Sequence, residues 1–225
     1  MRGAAGRMIR RSAVALLGAA LAAASGCAGG SATVSHGAAV RVSGRLLVVP
    51  LKDKERYYYD SEDGMAIANA ALLAASSNSK RITPLDYNKV RGLVRGTILD
   101  KTISNDQWAI ITKAAKADYA VYGSVDDLRW QDPNDPGMPR CTFAVTFHVY
   151  SRAKGREVYA ATVAGTYPVM PGGDMGVTVY EMGLEKLQDL SRVYIGTVVA
   201  RTFYHYELNR IEDRSVRINR LNITP

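Results

Sequence analysis

Residues 141–167 carry the pattern that most restricts the fold of this chain. From 141 to 150 apolar and polar residues alternate, which is the period of a strand with one buried face. The two faces hold, respectively, Phe143, Val145, Phe147 and Val149, and Thr142, Thr146 and His148. Residues 153–156 turn the chain, and residues 157–167 return as a second strand. The pattern predicts a long antiparallel hairpin whose apolar face needs a cover.

The other segments mix strand and helix patterns. The strand candidates are residues 45–51, 82–87 and 118–125, and the helix candidates are residues 64–75, 104–117 and 174–208, the last as one helix or two. Ser61 or Asp63 is expected to cap the first helix, and a capping box from Ser104 to Gln107 opens the second. The predicted fold class is α/β (α+β), a central mixed sheet with helices packed on its faces.

The N-terminal 26 residues have the features of a signal peptide. A positive stretch with four arginines precedes an uncharged, Ala- and Leu-rich stretch at residues 12–24. That stretch is shorter than the roughly 20 apolar residues of a spanning helix. The paired Arg10 and Arg11 are compatible with a twin-arginine export signal, but adjacent arginines are common in this region.

The signal ends in Ala24, Ser25 and Gly26, directly before Cys27. Small residues before a cysteine resemble a lipobox, in which the thiol is acylated and the signal is removed. Leu is usual at the position that Ala24 occupies. The alternative is an ordinary signal peptide in which Cys27 is a bystander. The lipobox interpretation predicts a membrane-anchored lipoprotein and no cofactor other than this covalent lipid.

The predicted layout is a signal at 1–26, a flexible tether at 27–43, one α/β domain at 44–210, and an edge strand or arm at 211–225. The chain has a net charge of +8, and four positive charges lie in the signal, which leaves +4. No dense run of Lys and Arg follows, so nucleic-acid binding is not expected. If Cys27 carries lipid, Cys141 is the other cysteine of the chain and has no disulfide partner.

Three segments resemble those of the family of the curli-secretion lipoprotein CsgG, which has a TolB N-terminal-like fold. They are the opening strand at residues 46–50, the Ala-Asp-Tyr-Ala-Val-Tyr-Gly-Ser-Val stretch at 117–125, and the Gly-Arg-Glu-Val turn at 155–158. The resemblance covers residues 44–208. The same family includes PelC, a ring lipoprotein of polysaccharide export, and LpoB, an activator of peptidoglycan synthases.

This resemblance implies a non-catalytic, oligomeric lipoprotein on the periplasmic face of the outer membrane. Its partners would be envelope proteins, in secretion, export or envelope assembly. The alternative is a monomeric activator or regulator of a peptidoglycan synthase. The chain differs from members of this family in two respects. The chain has no spare strands of the length that the curli channel inserts into the membrane, and its tether is short for an activator that reaches through the cell wall.

Few residues of the sequence indicate a catalytic or metal-binding site. His36, His148 and His205 are dispersed, so no metal site is expected, and His148 is expected to be a hydrogen-bonded sheet residue. Asp126 and Asp127 follow the strand at 118–125 and are expected to cap its end in solvent. No nucleophile elbow, phosphate loop or zinc-protease helix is present in the sequence, so we expect no enzyme.

The strongest interface candidates are Tyr57, Tyr58 and Tyr59, three adjacent tyrosines in a charged loop. Tyrosine is frequent at interfaces because its ring is apolar and its tip is polar. The alternative is that the loop folds back and buries at least one ring. Trp130 is a weaker candidate of the same kind, and Cys141 is expected to be a small buried residue.

Overall fold

The strand and helix patterns form a mixed sheet with helices on both faces and a separate two-stranded sheet. The computed structural model describes residues 33–53, 61–92, 94, 104–130, 140–169 and 183–223. The strands are β1 (Thr33–His36), β2 (Gly44–Val48), β3 (Lys52–Asp53), β4 (Ile82–Leu85), β5 (Tyr119–Trp130), β6 (Cys141–Ser151), β7 (Arg156–Tyr167), β8 (Tyr206–Asn209) and β9 (Val216–Arg220).

The helices are α1 (Glu62–Asn78), α2 (Asn105–Ala114), α3 (Leu184–Ala200) and α4 (Arg210–Ser215), with short 3-10 turns at Tyr87–Lys89 and Arg201–Phe203. The predicted caps are confirmed. The hydroxyl of Ser61 accepts a hydrogen bond from the Gly64 amide at 3.0 Å, and Ser104 and Gln107 form a capping box. Of the helices described here, none is long and apolar enough to span a membrane.

The sheet has seven strands, six of them in the order β4-β2-β5-β6-β7-β9, with β3 paired to β5. β2 is parallel to β4 and β5, whereas β5, β6, β7 and β9 pair antiparallel, each with the next. The predicted hairpin is the β6–β7 pair. The fold class expected from the sequence, a mixed sheet with a long antiparallel hairpin and helices on its faces, is therefore confirmed.

One face of the sheet, the core face, is covered by α1 and α3. Phe143, Phe147 and Val163 of the sheet belong to one buried cluster with Ile67 of α1 and Ile195 of α3. The two helix backbones approach closely at Gly196. A Cβ built there would lie 2.6 Å from the Cβ of Ala70 and 2.6 Å from the carbonyl oxygen of Ile67. Any larger residue at this position would push the two helices apart.

The second face, the polar face, is covered only in part. Trp108 and Ile111 of α2 are fully buried there, in a smaller cluster with Leu47, Val49 and Tyr150. Farther along β6, Thr142 is exposed and Ala144 and Thr146 are half-exposed. The short α2 therefore protects one end of this face and leaves a row of small and hydroxyl side chains open.

The described residues from 34 onward belong to one compact unit, which contains the sheet. The tether predicted at 27–43 is corrected for residues 34–43, which belong to this unit, whereas residues 27–32 lie outside the described residues. β1 pairs with β8 in a separate two-stranded sheet, the amide of Val40 donates to the carbonyl of Thr202 at 3.1 Å, and Val42 is buried.

Three other expectations change. β5 continues five residues past Val125, because Asp126 sits at a β-bulge and the strand resumes its pairing with β6 at Asp127. The helix expected at 174–208 is α3, which ends at Ala200, and β8 follows. Residues 174–182 lie outside the described residues. In the tail, α4 and β9 occupy 210–220, and β9 extends the sheet beside β7.

Candidate functional site

Most of the predicted site residues lie outside the described part of the chain. Cys27 and the preceding Ala24, Ser25 and Gly26 fall there, as do Tyr57, Tyr58 and Tyr59. The lipidation site and the tyrosine interface therefore stay predictions.

Trp130 lies at the end of β5, opposite Cys141 of β6. Its side chain is half-buried and packs against the core cluster. The guanidinium carbon of Arg192 lies 5.9 Å from the centroid of its ring, a cation–π contact. Much of the Trp130 side chain therefore packs within the fold. Its role at an interface stays a prediction.

A polar cluster joins the N-terminal strand to the C-terminal elements. The Nε2 of His36, on β1, donates to Oδ1 of Asp213 on α4 across 2.6 Å. The His36 ring also stacks on Tyr206 of β8, with centroids 5.0 Å apart and planes 16° from parallel. We call His36, Tyr206 and Asp213 the strand lock, because they fix β1 to elements that lie about 170 residues later.

An arginine ion pair lies beside the strand lock. Arg201 donates to Oε1 of Glu212 at 2.5 Å, and both side chains are largely buried, at 12% and 20% exposure. The guanidinium carbon lies 5.6 Å from the ring centroid of Tyr206 and 5.9 Å from that of Tyr194. Removing one partner of a buried ion pair leaves the other charge uncompensated and costs about 3–5 kcal/mol. This pair therefore fixes α4 against the end of α3.

Burial also shifts the tyrosines around Arg201. Desolvation, with a further contribution from the charge of Glu212, raises the pKa of Tyr194 to about 12, against the opposing effect of Arg201. Desolvation likewise raises the pKa of Tyr204 and of Tyr206 above the ordinary value. These phenols are neutral at physiological pH, so they supply ring surface and hydroxyl groups but no general base.

A cavity of about 290 Å³ opens next to these groups. Its lining is half apolar and half polar, with Val198, Leu208, Val216 and Ile218 beside His36, Arg201, Tyr206 and Asp213. The two basic groups of the lining each already pair with a carboxylate. The arrangement is suited to holding the N-terminal strand in place, and the residues that form it are too far apart in sequence for a motif to reveal them.

A second cluster lies on the polar face of the sheet. The rings of Trp108, Tyr122 and His148 stack in a row, with centroids 4.2 Å and 5.2 Å apart. One carboxylate oxygen of Glu157 accepts from the Tyr122 hydroxyl at 3.0 Å and from Nδ1 of His148 at 2.9 Å. The expectation that His148 is a hydrogen-bonded sheet residue is confirmed.

The same face carries a row of hydroxyl groups around Asp126. The carboxylate of Asp126 accepts from Ser124 at 2.7 Å and from Thr146 at 2.5 Å, and Thr146 in turn lies 2.8 Å from the Thr162 hydroxyl. The expectation that Asp126 caps a strand end in solvent is wrong. Its carboxylate instead bridges two strands at the bulge, which allows β5 to continue.

The sequence predicted no metal site and a buried Cys141. Among the described residues, no group of three or more His, Cys, Asp or Glu side chains is placed to hold a metal ion. Cys141 is completely buried, as expected, and burial raises the pKa of its thiol to about 11. A thiol of this kind is protonated at neutral pH and is a poor nucleophile.

Comparisons with known proteins give similarity of fold alone. No family model matches the chain, and none of the curated proteins matches it in sequence. Among solved structures, the PelC dodecamer from Paraburkholderia phytofirmans is similar at 16% identity and a TM-score of 0.44, covering 77% of this chain and 97% of that chain.

Two further structures illustrate the same likeness. The LpoB C-terminal domain from Escherichia coli has 15% identity and a TM-score of 0.35, with 56% of this chain and 84% of that chain covered. Lipoprotein GNA1162 from Neisseria meningitidis has 12% identity and a TM-score of 0.39, with 70% and 98% covered. PelC and LpoB, both named in the resemblance from sequence, are thus among the structures of similar fold, and no specific family is shown.

Proposed function

We propose that this chain is a lipid-anchored accessory protein of the bacterial envelope, which works as a non-catalytic oligomer in export or envelope assembly. Its lipid is on Cys27, and it faces the periplasm from the outer membrane. The observation that carries the proposal is the position of the strand lock so soon after the lipobox. Only nine residue steps separate Cys27 from His36 of the strand lock.

The number of residues limits how far the domain can stand from its anchor. At no more than about 3.6 Å per residue, nine steps extend at most about 32 Å. The lock at His36 prevents the following residues from adding to this reach. An anchored protein of this design stays close to its own membrane, which suits a component that assembles there. A regulator that must cross the cell wall needs a longer tether.

The first test is the fate of Cys27 in the full chain expressed in a Gram-negative host. Intact mass of the membrane-bound protein should show loss of residues 1–26 and gain of a diacylglyceryl group. Cys27→Ser should lose both changes and leave the lipoprotein fraction. Cys141→Ala is the matched control, because it removes the other cysteine and should keep the lipid. A wild-type chain that is cleaved but carries no lipid contradicts the anchor.

The second test is the native mass of the wild-type chain extracted in mild detergent. A discrete oligomer supports the assembly role. A monomer at all concentrations contradicts it and favours the alternative, a regulator that binds a peptidoglycan synthase.

A further inference from the structure

Helix α1 has no charged side chain after Asp63, although one side of it is exposed. From Gly64 to Asn78 its residues are Ala, Leu, Ile, Met, Gly, Ser and Asn. A surface helix normally places charged residues on the side away from the core. The covered side of α1, with Ile67, Ala68 and Ala71, faces the core. The other side has no charge that would favour contact with water.

The exposed apolar residues continue from α1 onto α3. Leu73 of α1 is 65% exposed and Val193 of α3 is 55% exposed, which places both among the most exposed large hydrophobic residues described. The two helices run side by side in the same direction, because Arg192 contacts Asp63 and Gly196 contacts Ala70. We call their solvent side the outer helix face, consisting of Ala66, Asn69, Leu73, Leu190, Val193 and Thr197.

We propose that a second copy of this chain docks on the outer helix face, with the helices of the two copies antiparallel about a twofold axis. This inference rests on the oligomeric part of the proposed function and deepens it by naming its contact surface. In this arrangement Leu73 of each copy lies toward Val193 of the other, because the two residues sit toward opposite ends of the face.

Charge at the two ends of the face favours a second copy in this orientation. At the start of α1, Glu62, Asp63 and Asp189 share the single guanidinium of Arg192, and Glu62 and Asp189 are 86% and 65% exposed. This end therefore carries an excess of negative charge. Beyond the other end of α1, Lys80 and Arg81 are exposed and form no ion pair with a described residue. Antiparallel docking places the acidic end of each copy beside the basic end of the other.

The face is also large enough for a stable contact. A helix of 17 residues is about 25 Å long, and two packed helices present a surface about 20 Å wide, given an axial separation of about 8–10 Å. Docking two such faces covers about 500 Å² of each partner, or about 1,000 Å² in total, which reaches the lower limit for a specific interface. A face without charge at its centre incurs no like-charge repulsion when it meets its own copy.

The first experiment places a charge within the apolar part of the face, at Leu73. The full chain, extracted in mild detergent, is compared as wild type, Leu73→Glu and Ile110→Glu by sedimentation velocity. Leu73→Glu should weaken self-association at least tenfold, since the new carboxylate would be buried. Ile110→Glu is the matched control, because Ile110 is 58% exposed on α2 and should leave self-association unchanged.

The second experiment tests the antiparallel orientation and does not depend on the apolar centre. Glu62→Lys alone should weaken self-association several-fold, because the introduced ammonium group of each copy would meet Lys80 of the other copy. Lys80→Glu alone should do the same through two acidic ends. An equimolar mixture of the two variants should associate as strongly as wild type, because both ends of the mixed pair are then complementary.

The outcomes separate this inference from the proposed function. A wild-type oligomer that Leu73→Glu and both charge variants leave intact overturns the outer helix face as the contact but keeps the oligomeric role. Charge variants that weaken association without recovery in the mixture overturn the antiparallel orientation. A wild-type monomer overturns both, as does an interface that forms only with a different protein.

Discussion

The two faces of the sheet differ sharply along a single strand. On β6, Phe143, Val145 and Phe147 point to the core face and are at most 1% exposed. Their neighbours Thr142 and Thr146 point to the polar face, where they are exposed and half-exposed. One side of the strand thus faces a core that two long helices cover. Its other side faces a surface that a single short helix covers only in part.

This difference indicates where the free energy of folding lies. Burial of apolar area contributes roughly 25 cal/mol per Å², and it is concentrated between the sheet and the α1–α3 pair. The polar face instead has short hydrogen bonds around Asp126 and Glu157. These bonds replace hydrogen bonds to water in the unfolded chain, so their net contribution to stability is smaller. We expect the core face to determine stability and the polar face to tolerate substitution.

The largest effect is expected from Phe147→Ala. The side chain is completely buried among the residues of the core face, so its removal leaves a cavity and should lower the free energy of unfolding by about 3–5 kcal/mol. Urea unfolding of the full chain, followed by circular dichroism, measures this change. A loss below about 1 kcal/mol would break the comparison, because it would place the main core elsewhere.

A smaller effect is expected from alkaline pH, acting through Tyr194 on the core side. Its ring lies 5.0 Å from that of Tyr167 and 6.2 Å from that of Phe143, between centroids. Burial raises its pKa from about 10 to about 12, so its contribution to stability is complete below pH 10 and is lost as the pH rises from 10 through 12.

The unfolding free energy should therefore fall between pH 10 and pH 12, and Tyr194→Phe should make that fall shallower without a large change at pH 7. Urea unfolding of both proteins across this range checks it. Equal slopes for the variant and the wild type would show that Tyr194 is not the group responsible.

The smallest effect is expected from Thr146→Val on the polar face. The change removes the hydroxyl that donates to Asp126, but water can replace it at a half-exposed position and valine suits a strand. The expected change in unfolding free energy is within about 1 kcal/mol. The same urea assay measures it beside Phe147→Ala, and equal losses for these adjacent residues would contradict the distinction between the faces.

Local patterns predict most of the elements. The hairpin at 141–167 and the caps at Ser61 and Ser104 follow from alternation and capping chemistry, and the structure confirms them. The predicted extent of α3 is wrong, because Tyr204, Tyr206 and Leu208 alternate as in a strand after a stretch of helical spacing. The predicted extent of β5 is wrong because Asp126 has partners on β6 that the sequence does not show.

The candidate site is harder to predict from the sequence than the helices and strands are. His36, Arg201 and Asp213 carry no motif, and they form one cluster because β1 pairs with β8 and α4 folds beside them. The uncharged stretch after Asp63 in α1 is visible in the sequence. Its significance appears only once the fold shows which side of that helix the core leaves uncovered.

The sequence by itself determined the fold class, the long hairpin and the places where helices begin, because these depend on the period of apolar residues and on hydrogen bonds between near neighbours. Tertiary structure alone decided three other features. They are the place where the N-terminal strand attaches, the bridging role of Asp126, and the side of the α1–α3 pair that stays exposed. Each depends on contacts between residues far apart in the chain, which no local pattern encodes.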